Sequence, residues 1–485
     1  MLVQRAPSLS RIAALIDRYQ APLACVIAVH LLLALHDYYG FTGPHFDSAQ
    51  YWGLASVENF GKALSSRGYV FPALLFPLRY FSDMSSSPLL AYRVEMSVVY
   101  GVLLTTLLPA AFRQAFGGTL TLARRLVPVV LLAILFPGLL LYPLSDLPAV
   151  LLAFAALMCA LRGLDASASR KNFIYLLMSA GMLMGAAYNT RTIYLFAGIP
   201  LGLMALVAYR GSRPGALYPR WLGLAALAVG VLVVSLPQLA INKRTLGVNS
   251  MAVQSLVSDK SLFATQLVWG MTLQRYETTV TMQAPAPQVY YFDPAGAMLF
   301  TQTLDGGDHF SVLYYIKTVA KHPLQFFALY ARHVVNGLDV RDGLVYTLKP
   351  SPLRNRTALF NFLVLALAVW VVASLRTRLD RAGQDSFLQI PAWWQGSLIV
   401  LVLPVVAIIP GAVETRFFLP VHLLAYCAIA MHFDAQLLRQ HFKLHRRAVL
   451  LTLLIGAAAF FAVTYSTMAN LQYDWPDIYR KGPQK

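Results

Sequence analysis

The chain has 485 residues, 58% of them hydrophobic and only 12% charged, with a mean hydropathy of +0.59. That composition excludes a row of ordinary soluble domains and points to a polytopic membrane protein. The net charge of +18 would suit nucleic acid only if it were gathered on one basic face, and Cys25, Cys159 and Cys427 all lie in apolar runs, which argues against a disulfide framework or a thiolate metal site.

A hydrocarbon core of about 30 Å takes roughly 20 apolar residues per helix. Eleven such runs follow one another, over 21–38, 88–112, 127–143, 145–161, 173–189, 192–209, 222–240, 357–375, 393–410, 417–433 and 448–466. Tyr142-Pro143-Leu144-Ser145-Asp146 divides the third from the fourth as a tight hairpin turn, because proline and a Ser-Asp pair interrupt helix. The first run is read as an uncleaved helix rather than a signal peptide, since no small-x-small site follows Leu35-His36-Asp37.

Alternate gaps between the runs are basic. They hold Arg5, Arg11 and Arg18; Arg113, Arg124 and Arg125; Arg162, Arg170 and Lys171; Arg210, Arg213 and Arg220; Arg376, Arg378 and Arg381; and Arg439, Lys443, Arg446 and Arg447. The orientation rule then predicts a cytoplasmic N-terminus and an outer C-terminus, so the positive charge is largely a topology signal and nucleic acid is not an expected partner. The expected fold is an all-α polytopic membrane protein of about eleven transmembrane helices, with interfacial helices and a small mixed outer subdomain. Its parts are an N-terminal module over 1–240 with a first outer loop at 39–87, an outer segment at 241–356, C-terminal helices at 357–466 and an outer tail at 467–485.

In the first outer loop, Val70 to Phe81 is too short and too proline-interrupted to span, and reads as an interfacial amphipathic helix. In the second outer segment, Thr279 to Tyr291 is rich in Val, Thr and Tyr with Pro285 and Pro287, whereas Phe310 to Asp339 has helical spacing. Trp221, Trp393 and Trp394 read as interfacial anchors.

Charges in the short outer gaps carry the chemistry. Arg191 in Tyr188-Asn189-Thr190-Arg191-Thr192 and Arg416 in Glu414-Thr415-Arg416-Phe417 each place a guanidinium at the outer boundary. Either each pairs with a neighbouring acid, as Arg416 with Glu414, or the two forked donors meet a phosphate at headgroup depth. Asp47 and Asp146 lie near the same level, where a partly desolvated carboxylate is able to act as general base toward a hydroxyl. For Asp146 the alternative is a helix-capping role ahead of Leu147-Pro148. Arg93 and Glu95, two residues apart, are expected to pair with other helices rather than with each other. Lys62 and Arg67 precede the interfacial helix, either as solvated loop charges or within reach of a lipid phosphate. His309, His322 and His333 have no metal-ligand spacing, so no metal or other cofactor is expected.

The order of these elements resembles the GT-C superfamily of integral membrane glycosyltransferases, which use polyprenyl-phosphate-linked sugars and include the protein O-mannosyltransferases and the aminoarabinose transferases of lipid A. Phe46-Asp47-Ser48-Ala49-Gln50-Tyr51-Trp52 is similar to that family's acidic motif, with Asp-Ser in place of its frequent Asp-Glu. Ser66-Arg67-Gly68-Tyr69-Val70-Phe71-Pro72, Leu144-Ser145-Asp146-Leu147-Pro148, Gly185-Ala186-Ala187-Tyr188-Asn189-Thr190-Arg191 and Glu414-Thr415-Arg416-Phe417-Phe418-Leu419-Pro420 resemble its basic, second acidic, Thr-Arg and Glu-x-Arg elements. Residues 241–356 match none of its motifs.

The resemblance implies an inverting transfer from a polyprenyl-phosphate sugar to an acceptor hydroxyl on a glycan, lipid or protein, at the outer face of a plasma or bacterial inner membrane. It implies Asp47 as base and Asp146 as a second acid. Arg191 and Arg416, with Arg67 or Lys62, would hold the donor phosphate, and Tyr51, Trp52, Tyr69 and Glu414 would contact substrate. Cytoplasmic loops too short for a nucleotide-sugar domain favour a lipid-linked donor. A polysaccharide polymerase or ligase and a lipid or solute transporter are the alternatives.

Overall fold

A computed structural model describes residues 9–62, 67–164, 169–207, 220–254, 256–257, 260–278, 288–303, 311–346, 351–382, 396–443 and 447–472. Arg5, Ser66, Arg210, Arg213, Pro285, Pro287, His309, Trp393, Trp394 and Arg446 lie outside the described residues. Of the described residues, 80% are helical. Among the described residues, six helices are long and apolar enough to cross a membrane: Tyr19–Tyr38, Pro88–Phe116, Asp146–Gly163, Trp221–Leu246, Arg354–Ser374 and Ala448–Asn470. The other apolar runs also contain helix, in shorter or more polar pieces such as Arg170–Thr190, Leu195–Val207, Ile399–Ile408 and Leu419–His432.

Two prolines reshape helices that the hydropathy pattern reads as continuous. The run 127–143 is not one helix: Leu122–Leu135 stops at Phe136, and Pro137–Leu141 forms a separate turn. Pro137 has no N–H and pushes the residue before it out of helical geometry. The break is closed from outside the run, because Gly138 N–H donates to the Gly343 carbonyl at 2.9 Å. The fit is tight in both directions, since a Cβ on Gly138 would lie 2.0 Å from the Leu344 carbonyl and one on Gly343 would lie 1.8 Å from that of Leu135. In Pro88–Phe116, Pro109 denies Thr105 its helical partner, and Leu103–Leu107 widens into a π turn. Arg125 takes up the freed carbonyl of Thr105 at 3.2 Å.

Small residues let the helices approach. Gly181 of Arg170–Thr190 and Gly230 of Arg220–Leu246 face each other's backbone, where a Cβ would lie 2.0 Å from the Leu227 carbonyl and 2.1 Å from that of Met178. Close backbone approach substitutes here for a hydrophobic drive that lipid does not supply. Beside this crossing runs a buried amide ladder. Asn189 bonds Gln238 at 2.8 Å, Gln238 bonds Asn242 at 2.8 Å, and Asn242 donates to the carbonyls of Ser250 and Ala252.

The helix expected over Val70 to Phe81 forms as Val70–Met84, and a short helix, Phe46–Leu54, precedes it. Within 241–356, Leu273–Thr278 pairs antiparallel with Gln288–Phe292, which in turn pairs with Leu471–Gln472 near the C-terminus. Helices Val312–Lys321 and Pro323–Gly337 lie where helical spacing predicts them. His333 joins two parts of the molecule by contacting the carbonyls of Ile409 at 2.6 Å and Leu273 at 2.9 Å.

Gly230→Val is expected to force the two helices apart and cost about 3 kcal/mol or more. Gly456→Ala, with open space around it, should be near neutral. Thermal unfolding of purified protein in detergent checks both, and equal losses would overturn the close-approach account.

Candidate functional site

Asp47, Arg67, Asp146, Arg191 and Arg416 each sit at or near the end of a helix, and the bundle brings these five and Glu414 to one place. Asp47 occupies the first turn of Phe46–Leu54, and Asp146 the first turn of Asp146–Gly163. Arg191 follows the last residue of Arg170–Thr190, and Arg416 lies in the turn Thr415–Phe418 ahead of Leu419–His432. Arg67 comes three residues before Val70–Met84.

The geometry is an alternating array of three guanidiniums and three carboxylates. Arg67 meets Asp47 at 2.5 Å, and Arg416 reaches the other Asp47 oxygen at 3.3 Å. Arg416 also lies 2.8 Å from Glu414 and 3.8 Å from Asp146. Arg191 donates to the remaining Asp146 oxygen. The Phe417 ring sits under both guanidiniums, 4.6 Å from Arg191 and 5.8 Å from Arg416. Both readings of Arg416 therefore meet in one residue: it pairs with Glu414, and it faces the two aspartates as well. The capping alternative for Asp146 is not taken up, because Ser145 holds the cap position and the Asp146 carboxylate turns to the arginines.

Burial ranks the acids. The Asp47 side chain is 33% exposed, against 3% for Asp146 and 6% for Glu414, so Asp47 is the carboxylate a substrate meets first. Burial pushes the Asp47 pKa up, but Arg416 and Arg67 more than offset it and hold the group below its ordinary value. For Glu414 burial wins over the neighbouring Arg416, and its pKa is raised. Glu414 Oε2 and Asp146 Oδ2 are buried without an aligned hydrogen bond, so the array leaves polar capacity unused.

The first loop is held in place by its neighbours. A Cβ at Gly68 would lie 2.0 Å from the Asn189 carbonyl, and Val70 N–H donates to Asn189 Oδ1 at 2.8 Å. These contacts fix Arg67 against the end of Arg170–Thr190, next to Arg191. Phe46 adopts a left-handed backbone, φ +44°, immediately before Asp47, and its ring packs on Tyr346. Strained backbone of this kind concentrates at functional sites.

The aromatic residues and Lys62 surround the array rather than join its ion pairs. Tyr51 and Trp52 are buried rather than open to a sugar face: Tyr51 packs on Phe71 and Arg67 and donates to Ser145, and Trp52 lies against Tyr92 and Arg79. Tyr69 is half-buried and its hydroxyl is given to the Val234 carbonyl at 2.9 Å. Lys62 is exposed and bonds Asn59 at 2.9 Å, away from the arginines. Arg93 pairs across helices with Asp37 at 2.9 Å. Among the described residues, no three His, Cys, Asp or Glu side chains are arranged to hold a metal ion.

A second array, which the sequence pattern does not single out, adjoins the first. Arg275 contacts Asp339 and Glu277, Arg341 contacts Asp339, and Arg354 contacts Glu277 and Asp342. The available sequence signal was the alternation of acid and base in Asp339-Val340-Arg341-Asp342, which has neither helical nor strand periodicity.

Asp146→Asn is expected to destabilise by about 2–3 kcal/mol, because Arg191 loses its ionic partner in a poorly hydrated place. Adding Arg191→Gln should cost less than the sum of the two single changes. Strict additivity in denaturation of the four proteins would mean that the pair is not coupled.

In comparisons with family models, with curated proteins and with solved structures, nothing matches this chain.

Proposed function

We propose that the chain is a membrane glycosyltransferase that moves a sugar from a polyprenyl-phosphate-linked donor to an acceptor hydroxyl with inversion. The observation that carries this reading is the convergence of Arg67, Arg191 and Arg416 on Asp47, Asp146 and Glu414. These residues come from four different gaps between apolar runs, all of the same parity and all opposite to the basic gaps. On this reading the eleven runs cross a bacterial inner membrane, the N-terminus is cytoplasmic, the C-terminus is outside, and the array faces the periplasm with 241–356 as an outer subdomain.

The chemistry follows from the charges. A prenyl phosphodiester carries one negative charge, and as its bond to the anomeric carbon breaks, the electron pair leaves with the phosphate and a second charge develops. Preorganised guanidiniums stabilise that developing charge where water is scarce. The acceptor oxygen attacks the anomeric carbon from the opposite face, and Asp47, the most accessible acid, takes its proton. With Arg67 and Arg416 both paired to it, Asp47 is a poor base. Phosphate that draws those arginines away relieves their depression of its pKa, so donor binding switches the base on.

Transfer of radiolabelled sugar from a panel of polyprenyl-phosphate sugars, by protein purified in lipid, tests the reading. Asp47→Asn at unchanged folding should lower transfer by a factor of roughly 10² to 10⁴. Movement of lipid or solute without transfer from any donor would favour a transporter.

The raised pKa of Glu414 adds a pH dependence. Protonation of Glu414 removes one of the charges competing for Arg416, so a phosphodiester donor, which does not itself titrate here, should bind more tightly as pH falls through the raised Glu414 pKa. Glu414→Gln should bind well at the higher pH and lose the dependence. An unchanged pH profile in that variant would assign the titration to another group.

A further inference from the structure

One cleft in the molecule joins the two charged arrays. It is lined by Glu414, Thr415 and Arg416 from the first array, by Arg275, Glu277 and Asp342 from the second, and by Phe136, Gly343 and Val345. Counted out to its open mouth, this narrow slit measures about 400 Å³. Its lining is of two kinds: carboxylates and guanidiniums on the one hand, and Phe136, Gly343 and Val345 on the other.

The polar groups are buried and only partly matched. Arg275 and Glu414 are 1% and 5% exposed; Glu414 Oε2 and Asp342 Oδ2 are held by ion pairs to Arg416 and Arg354 without an aligned hydrogen bond, and Arg275 Nε has no hydrogen bond. Three acids and two arginines line the slit and Arg354 pairs with Glu277 and Asp342, so the charges balance and the slit does not suit a second anion. Carboxylates and guanidiniums side by side offer acceptors and donors alternately, which is the complement of neutral hydroxyls that each donate and accept. The aromatic and aliphatic lining of Phe136 and Val345 complements the C–H face of the same ligand. Val345 holds φ +67°, a left-handed backbone unfavourable for a β-branched residue, so this part of the lining is built under strain.

We propose that this slit is a sugar subsite, with Glu277 and Asp342 as the residues that determine which sugar is accepted. The proposal rests on the glycosyltransferase reading above and commits to the donor's sugar, because the slit opens directly from Arg416, one bond away from where the donor phosphate is held. Asp342, Gly343 and Val345 of one strained segment line this subsite. Segment 241–356 thereby supplies specificity to a phosphate site built by the helices.

The test compares equilibrium binding, in lipid nanodiscs, of bare polyprenyl phosphate and of polyprenyl phosphates carrying a hexose or an aminopentose. The wild type should hold one sugar-linked lipid at least tenfold more tightly than the bare lipid. Asp342→Asn and Glu277→Gln should each reduce that advantage toward unity while leaving the bare lipid's affinity unchanged, which also reports intact folding. If one variant fails to fold, the other carries the comparison. Equal binding of bare and sugar-linked lipids by the wild type, or a sugar advantage that survives in both variants, overturns the subsite and leaves the donor reading standing. If the variants bind every lipid as the wild type does but raise the KM for the acceptor in the transfer assay, the sugar held is the acceptor's and the donor assignment is wrong. Failure of the wild type to bind any of these lipids sinks the glycosyltransferase reading, and the subsite with it.

Discussion

A charge taken out of water must be paired, and the site follows from how that pairing is met. Three arginines and three carboxylates gather at the ends of helices, most of them with little access to water, and they satisfy one another. Removing charges from water is expensive, and an apolar replacement of the same volume is often as stable. Buried ionic arrays are therefore weak devices for holding a fold together and effective ones for holding a binding geometry ready. Arg416 stands at the centre: it touches all three acids, and it borders the slit that leads to the second array. An anion that competes for it must displace a carboxylate, and the displaced carboxylate becomes more basic. Binding and proton abstraction are coupled through one guanidinium in the proposed reaction.

Packing makes this arrangement possible. The Gly181–Gly230 crossing draws two helices together, and the amide ladder from Asn189 to Asn242 fixes their ends. Gly68 brings the first loop against Asn189, so Arg67 and Arg191 arrive at the same place from distant parts of the chain. On the other side, the Pro137 break and the paired close approaches of Gly138 and Gly343 clamp the segment that carries Asp342 and Tyr346 onto the bundle. Tyr346 then accepts from the backbone N–H of Ser48, next to Asp47, at 3.3 Å. Two left-handed residues, Phe46 and Val345, lie in these two contacting segments.

Much of this was legible in the sequence, for identifiable reasons. Apolar runs of sufficient length become helices because lipid or protein surroundings demand it, and charges that interrupt them fall at helix ends; Asp47, Asp146, Arg191 and Arg416 were visible for that reason. Their mutual pairing was only half visible, since Glu414 lies two residues from Arg416 whereas Asp47 is 369 positions away. The buried roles of Tyr51 and Trp52 were not visible, because an aromatic beside a charged motif has the same sequence pattern whether it faces a ligand or the core. Nor was the second array, because Arg275, Glu277 and Asp342 come from a strand and a loop that lack the periodicity of membrane helices. The break at Phe136 was masked by hydropathy, which registers Pro137 and Gly138 as part of an apolar run although their backbone demands differ.

The most direct test of the account is a cryo-electron microscopy map of the protein in lipid nanodiscs with polyprenyl phosphate bound. The account predicts the phosphate within hydrogen-bond reach of Arg191 and Arg416, with the Arg416 guanidinium turned away from Asp47. A phosphate seated elsewhere, with the Arg416–Asp47 pair intact, would contradict it.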